Sequence, residues 1–203
     1  MRGTQLFNAN HDLADVCLSH RFVQGIASGN LERARFVDYV AQDAFFLAAF
    51  AKAYASAQAR SMETPARQLF QRLGEGVANE LNLHREYAAQ WGIELTAVSP
   101  QTATTAYTSF LDTAATCEAV PQIAAAMAPC LRLYAWLGQQ LQPTANPASP
   151  YHAWVRTYAD PAIDLLAGEL EAVLDWPTAD PARQSALYRR AMHLELAFFD
   201  AFR

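Results

Sequence analysis

The chain is poor in the residues that build sheets, disulfide frameworks and nucleic-acid grips. Only eight glycines occur among 203 residues, and no run of β-branched residues alternates with period two, so almost no sheet is expected. The three cysteines, Cys17, Cys117 and Cys130, are odd in number and show no CxxC spacing. That pattern argues against a disulfide frame or a cysteine zinc site and fits reduced thiols. Charged residues are 17% of the chain, the formal net charge is -5, and no basic run occurs. Phosphate binding needs clustered Lys and Arg, so nucleic acid is not expected as a partner. No segment reaches the ~18 uninterrupted apolar residues that span a bilayer. The opening MRGTQLFNANHDL lacks the apolar core of a secretory signal. No membrane partner is expected, and a cytoplasmic location is. There is no P-loop and no GxSxG elbow, and LGEG at residues 73–76 lacks the strand–turn–helix context of a dinucleotide site.

What is present is helix. Apolar residues are 52% of the chain and alanine is abundant, which suits a sizeable core in one domain spanning residues 1–203. The first helical region runs from about Asn10 to Ser28, with a break near Ser19–Arg21. Gly29 ends it, and Asn30 is placed to cap a long helix from Leu31 to Arg60. Thr64-Pro65 reads as an N-cap with proline at the first helical position, opening a helix that runs to Trp91 and stops at Gly92. Further helices are expected over about Thr104–Glu118, Val120–Leu141, Tyr151–Tyr158, Asp160–Leu174 and Asp180–Phe202, and PTANPASP at 143–150 is a proline-punctuated loop. The reading is an all-α bundle of seven to nine helices.

Polar residues interrupt three apolar stripes. Phe36, Val40, Asp43, Leu47, Phe50 and Tyr54 share one helical face, so Asp43 points inward. A buried unpaired carboxylate costs several kcal/mol or takes up a proton, so Asp43 needs a partner: a protein donor, a ligand or water. Tyr188, Met192, Glu195, Phe199 and Phe202 form a second stripe, with Phe198 adjacent. Ile123, Met127, Cys130, Tyr134 and Leu137 form a third. Taken singly, each polar residue is explained by a structural hydrogen bond, and Cys130 by a small core residue. Pro129, just before Cys130, should kink its helix and open space beside the thiol. Glu80 and His84 lie one turn apart. No Glu-x-x-His occurs and the remaining histidines complete no ligand set, so a structural Glu80–His84 hydrogen bond is expected rather than a metal site.

Several blocks resemble the TenA family, the thiaminase II enzymes with a haem-oxygenase-like helical fold. They are HRFVQGIASGNL (20–31), FVDYVAQDAFFL (36–47), ELNLHREYA (80–88), AYTSFL (106–111), PCLRLYAWLG (129–138), SPYHAWVRTYAD (149–160) and HLELAFF (193–199). Arg21 stands where the family usually has proline. The resemblance implies that Cys130 is the nucleophile of the cysteine-bearing branch and that Glu195 handles protons at the pyrimidine. It implies that Asp43 binds the aminopyrimidine edge, that Tyr107, Tyr134 and Tyr158 position or stack on the ring, and that Phe198 walls the pocket. Phe46 stands where many members carry a pocket tyrosine; it keeps a stacking face and loses a hydroxyl. The implied activity is hydrolysis of an aminomethyl pyrimidine, or of thiamine, to the hydroxymethyl pyrimidine. No metal and no organic cofactor are implied, and a homotetramer is. Two alternatives stand beside this reading: a non-catalytic binder or regulator that kept the pocket, and a metal-dependent oxygenase on the same helical fold.

Overall fold

The computed structural model describes residues 1–91 and 98–203, with side chains at 82–91 excluded. Among the described residues there are ten α-helices and no strand. They are α1 (Arg2–Asn8), α2 (His11–Ser19), α3 (Arg21–Ser28), α4 (Arg33–Arg60), α5 (Thr64–Trp91), α6 (Thr102–Cys117), α7 (Val120–Leu141), α8 (His152–Tyr158), α9 (Pro161–Ala172) and α10 (Pro181–Asp200). A single 3₁₀ turn, Val173–Asp175, follows α9. The count exceeds the seven to nine expected because the amino-terminal region divides into three helices.

The division has local causes. Asn10 turns its side chain back onto the Leu6 carbonyl (2.8 Å), closing the chain between α1 and α2. His20 is extended (ψ 138°), and its Nδ1 accepts from the Phe22 amide, capping α3. Helix α1 is held by tertiary contacts that its own sequence does not announce. The Arg2 amide donates to Asp175, and the Arg2 guanidinium reaches the Pro181 carbonyl and Ser185. Gly29 ends α3 with φ +82°, a left-handed conformation that a Cβ would oppose.

Two caps fall elsewhere than expected. Asn30 does not cap the fourth helix; Glu32 occupies that position and makes no side-chain capping bond. Thr64 is already helical, and the Arg67 amide bonds to the Glu63 carbonyl, so the helix begins one residue earlier than the proline pattern suggests. The expected stop at Gly92 lies outside the described residues. Helix α7 runs unbroken through Pro129. Asp160 and Asp180 cap α9 and α10 through their side chains, each followed by proline, as the Asp-Pro pairs predict.

The long helices α4 and α5 pack along each other, α4 also lies on α6, and α7 is clasped by α8, α9 and α10. The core therefore runs between α4 and α7, the two helices whose stripes carry Asp43 and Cys130. Burying a large side chain stabilises by roughly 1.5–3 kcal/mol. Phe198 and Phe199 on α10, and Phe202 just after it, are all buried, against Phe22 of α3 and Tyr39 of α4. Among the described residues no helix is long and apolar enough to cross a membrane.

Candidate active site

The three inward stripes converge. Asp43 and Glu195 are 5% and 1% exposed, so both carboxyls are inside, as their helical phase predicts. The Tyr107 hydroxyl on α6 donates to Glu195 Oε1 on α10 at 2.6 Å. Glu195 Oε2 is buried with no hydrogen-bond partner in the protein. The Cys130 thiol sits beside Glu195, and the side-chain interaction between them favours the carboxylate of Glu195 and the thiol form of Cys130. Burial pushes Glu195 up to about 7, opposed by the Tyr107 bond and by the thiol.

Cys130 lies deep in the fold, and its thiol is pushed well above its ordinary range. Burial is the main cause, followed by the negative fields of Glu195, Asp43 and Glu80. The resting group is a thiol. As a residue Cys130 is half-buried, unlike its helical neighbours Met127, Ala128 and Pro129, and it packs against the core. Asp43 is raised by burial, then by Glu80, then by Glu195. Like charges close together in a low dielectric hold one another protonated.

The aromatic residues arrange themselves around these groups. Phe46 meets Tyr107 edge-on at 4.5 Å and stacks near Phe198 at 5.9 Å. Tyr134 meets Tyr158 edge-on at 4.8 Å and lies 5.7 Å from Phe199. Burial raises the hydroxyls of Tyr107, Tyr134 and Tyr158 far out of the titrating range, so all three are neutral donors. The structure thus gathers Asp43, Phe46, Tyr107, Cys130, Tyr134, Tyr158, Glu195 and Phe198 into one buried region drawn from five helices.

Some site residues escaped the sequence reading. Spacing alone pairs Glu80 with His84, whose side chain lies outside the described residues. In the fold the Tyr158 hydroxyl donates to Glu80 Oε1 at 2.9 Å, across 78 residues of sequence. Burial raises Glu80, and the Tyr158 bond opposes that rise. Tyr39 was also missed: its hydroxyl donates to Tyr134 at 3.4 Å and accepts from the Trp154 indole at 3.3 Å. Its spacing of four before Asp43 was the available signal. Gln42, buried at 2% exposure, takes hydrogen bonds from the Gln101 amide and the Thr104 hydroxyl and donates to the Ser99 carbonyl. It pins the start of α6 and hence the height of Tyr107.

A cavity of about 320 Å³ adjoins this region. Its described walls include Tyr39, Tyr54, Glu80, Trp154 and Tyr158, and do not include Asp43, Cys130 or Glu195. Tyr39, Tyr54 and Tyr158 join the two, since each lines the cavity and each feels the site's acids or thiol. Among the described residues no three His, Cys, Asp or Glu side chains gather as a metal-holding group.

Comparison with known proteins adds a lineage to this geometry. Residues 9–202 match the model of the TENA/THI-4/PQQC family. An aminopyrimidine aminohydrolase of Halalkalibacterium halodurans is 31% identical over 193 residues, covering 90% of this chain and 86% of that protein. The protein of the same name from Bacillus subtilis is 36% identical over 145 residues, 68% of this chain and 61% of its own length. The structure superposes on a TenA homologue from Pyrococcus furiosus with a TM-score of 0.92, at 16% identity and with both chains covered in full.

Proposed function

The chain belongs to the TENA/THI-4/PQQC family, and from that premise we propose that it is an aminopyrimidine aminohydrolase of the thiaminase II type. Its substrate is 4-amino-5-aminomethyl-2-methylpyrimidine or thiamine, and its product the 5-hydroxymethyl pyrimidine. The observation that carries the reading is Glu195: a buried carboxyl with a pKa of about 7, one oxygen held by Tyr107, the other unpartnered, and a thiol beside it. An unpaired buried polar atom of this kind is costly and is explained by a ligand that completes it.

The chemistry follows from the residues. Glu195, as carboxylate, takes the Cys130 proton and passes it to the ring nitrogen as the sulfur adds to the adjacent unsubstituted ring carbon. The 4-amino group then pushes electrons toward the methylene, and the cationic substituent departs with its bonding pair: the ammonium as neutral ammonia, or the thiazolium as neutral thiazole. Water adds to the exposed methylene carbon and gives up a proton. The ring nitrogen returns its proton to Glu195, the sulfur leaves, and the ring regains aromaticity. Asp43 grips the amino and ring-nitrogen edge, while Phe46, Tyr107, Tyr134, Tyr158 and Phe198 bury the ring faces. No step calls for a metal or an organic cofactor. The reading extends to a cytoplasmic homotetramer, which light scattering of the purified protein tests.

The test is ammonia release from the aminomethyl pyrimidine. Cys130→Ser should fold and lose turnover about 10³-fold or more. Near wild-type rates in that variant reject the covalent route. Pyrimidine binding with neither ammonia nor thiazole released by the wild type would leave a non-catalytic binder in its place.

A further inference from the structure

We propose that the aromatic-walled cavity adjoining the pyrimidine site is the leaving-group subsite, and that Glu80, set in an aromatic collar, selects leaving groups that carry positive charge. This rests on the reading of the site as a pyrimidine hydrolase.

The first support is position. The cavity does not overlap the residues assigned to the pyrimidine ring, apart from Tyr158. It adjoins them through Tyr39, Tyr54 and Tyr158. A substituent carried on the ring's methylene must point somewhere. This void shares Tyr158 with the ring site, and its wall residue Tyr54 lies within the electrostatic reach of the Cys130 thiol.

The second support is wall chemistry. Phe36, Tyr39, Tyr54, Tyr151, Trp154 and Tyr158 all line the void. Aromatic faces attract cations through their ring electrons. Glu80 is the one charged side chain among the described lining residues, and no Lys or Arg is among them. Such a wall favours an ammonium or a thiazolium and disfavours a phosphate-bearing group. Glu80 is oriented for this: the Tyr158 hydroxyl holds Oε1 at 2.9 Å, fixing the carboxyl against α8.

The third support is size. A water molecule's share of liquid volume is about 30 Å³, and the void is about 320 Å³. A bare amine would leave most of it empty, so the subsite admits a ring-sized cation on the methylene as well. Burial raises the Glu80 carboxyl when the site is empty; a bound cation supplies the counter-charge that favours its ionised form.

The test compares three ligands that share the pyrimidine and differ at the methylene: the aminomethyl pyrimidine, thiamine and the neutral hydroxymethyl pyrimidine. Calorimetry is run in the Cys130→Ser background so that none is consumed. Adding Glu80→Gln should weaken both cationic ligands about tenfold or more and leave the neutral one within about twofold. Unchanged binding of the neutral ligand also reports that the variant is folded. Glu80→Asp, which keeps the charge, should recover part of the discrimination. Equal weakening of all three ligands, or of none, overturns the proposal while the hydrolase reading stands. If none of the three binds with Glu80 intact, the hydrolase reading fails and the subsite falls with it.

Discussion

The Tyr107 hydroxyl and Glu195 Oε1 stand 2.6 Å apart, joining α6 to α10 at the carboxyl that the proposed chemistry titrates. That bond lowers Glu195 against the upward push of burial, and the balance leaves the group at about 7. Removing the hydroxyl with Tyr107→Phe should therefore raise Glu195 further. Because the carboxylate form accepts the thiol proton, the acid limb of the pH–rate profile should move about one unit to higher pH. Activity at pH 6.5 should fall more than activity at pH 8.5. A limb that stays in place under single-turnover conditions would show that Glu195 does not set it.

Stability should fall as pH rises. Glu195, Asp43 and Glu80 are all raised in the folded state. Between the unfolded carboxyl range and the folded one, the native protein binds more protons than the unfolded chain, so raising pH favours unfolding. For Glu195 alone, moving from 4.5 to about 7 corresponds to about 3 kcal/mol. Urea melts of the ligand-free protein at pH 5 and pH 8 should show the drop, and Glu195→Gln should reduce it. A pH dependence identical in the two proteins would remove Glu195 from the account.

Gly138 on α7 faces the end of α8. A Cβ there would lie 2.3 Å from the Tyr158 carbonyl carbon and 2.4 Å from the Ala159 nitrogen, both backbone atoms with little freedom to retreat. Gly138→Ala should cost about 1–3 kcal/mol, lower the Tm, and weaken pyrimidine binding by displacing Tyr158. Gly168→Ala is the control, since its nearest neighbour is Arg132 Nη2 at 4.0 Å. Thermal melts and ligand titrations of both variants check the contrast.

The three thiols should react in a fixed order. Cys117 is exposed, Cys130 half-buried and Cys17 buried. Alkylation follows thiolate fraction and access. Burial pushes Cys17 up to about 12 and raises Cys130 well above its ordinary range. Iodoacetamide at pH 7.5 should label Cys117 first, Cys130 much more slowly, and Cys17 only on unfolding. Mass spectrometry of timed samples reads the order, and hydroxymethyl pyrimidine should slow labelling at Cys130 alone.

Much of this site was legible in the chain because helical phase is a local property. Asp43, Cys130 and Glu195 each sit on an apolar stripe, and each of the three stripes is buried. The Asp-Pro starts of α9 and α10 were legible for the same reason, since a cap needs only its own first turn. Helix α1 was not: its amide and guanidinium are held by Asp175, Pro181 and Ser185, more than 170 residues away. Nor was the bond that Glu80 accepts from Tyr158, which comes from another helix 78 residues away; the His84 that spacing also offers lies outside the described side chains.

By itself, then, the sequence determined that the chain is helical and which face of each helix turns inward, because backbone hydrogen bonding and apolar burial act over a few residues. Only the tertiary structure decided which inward groups meet. It set Tyr107 on Glu195, placed the Cys130 thiol beside that carboxyl and drew Glu80 to the rim of an aromatic void. Those meetings depend on how the helices cross and rotate against one another, and that is fixed by the packing of the whole core rather than by any one segment.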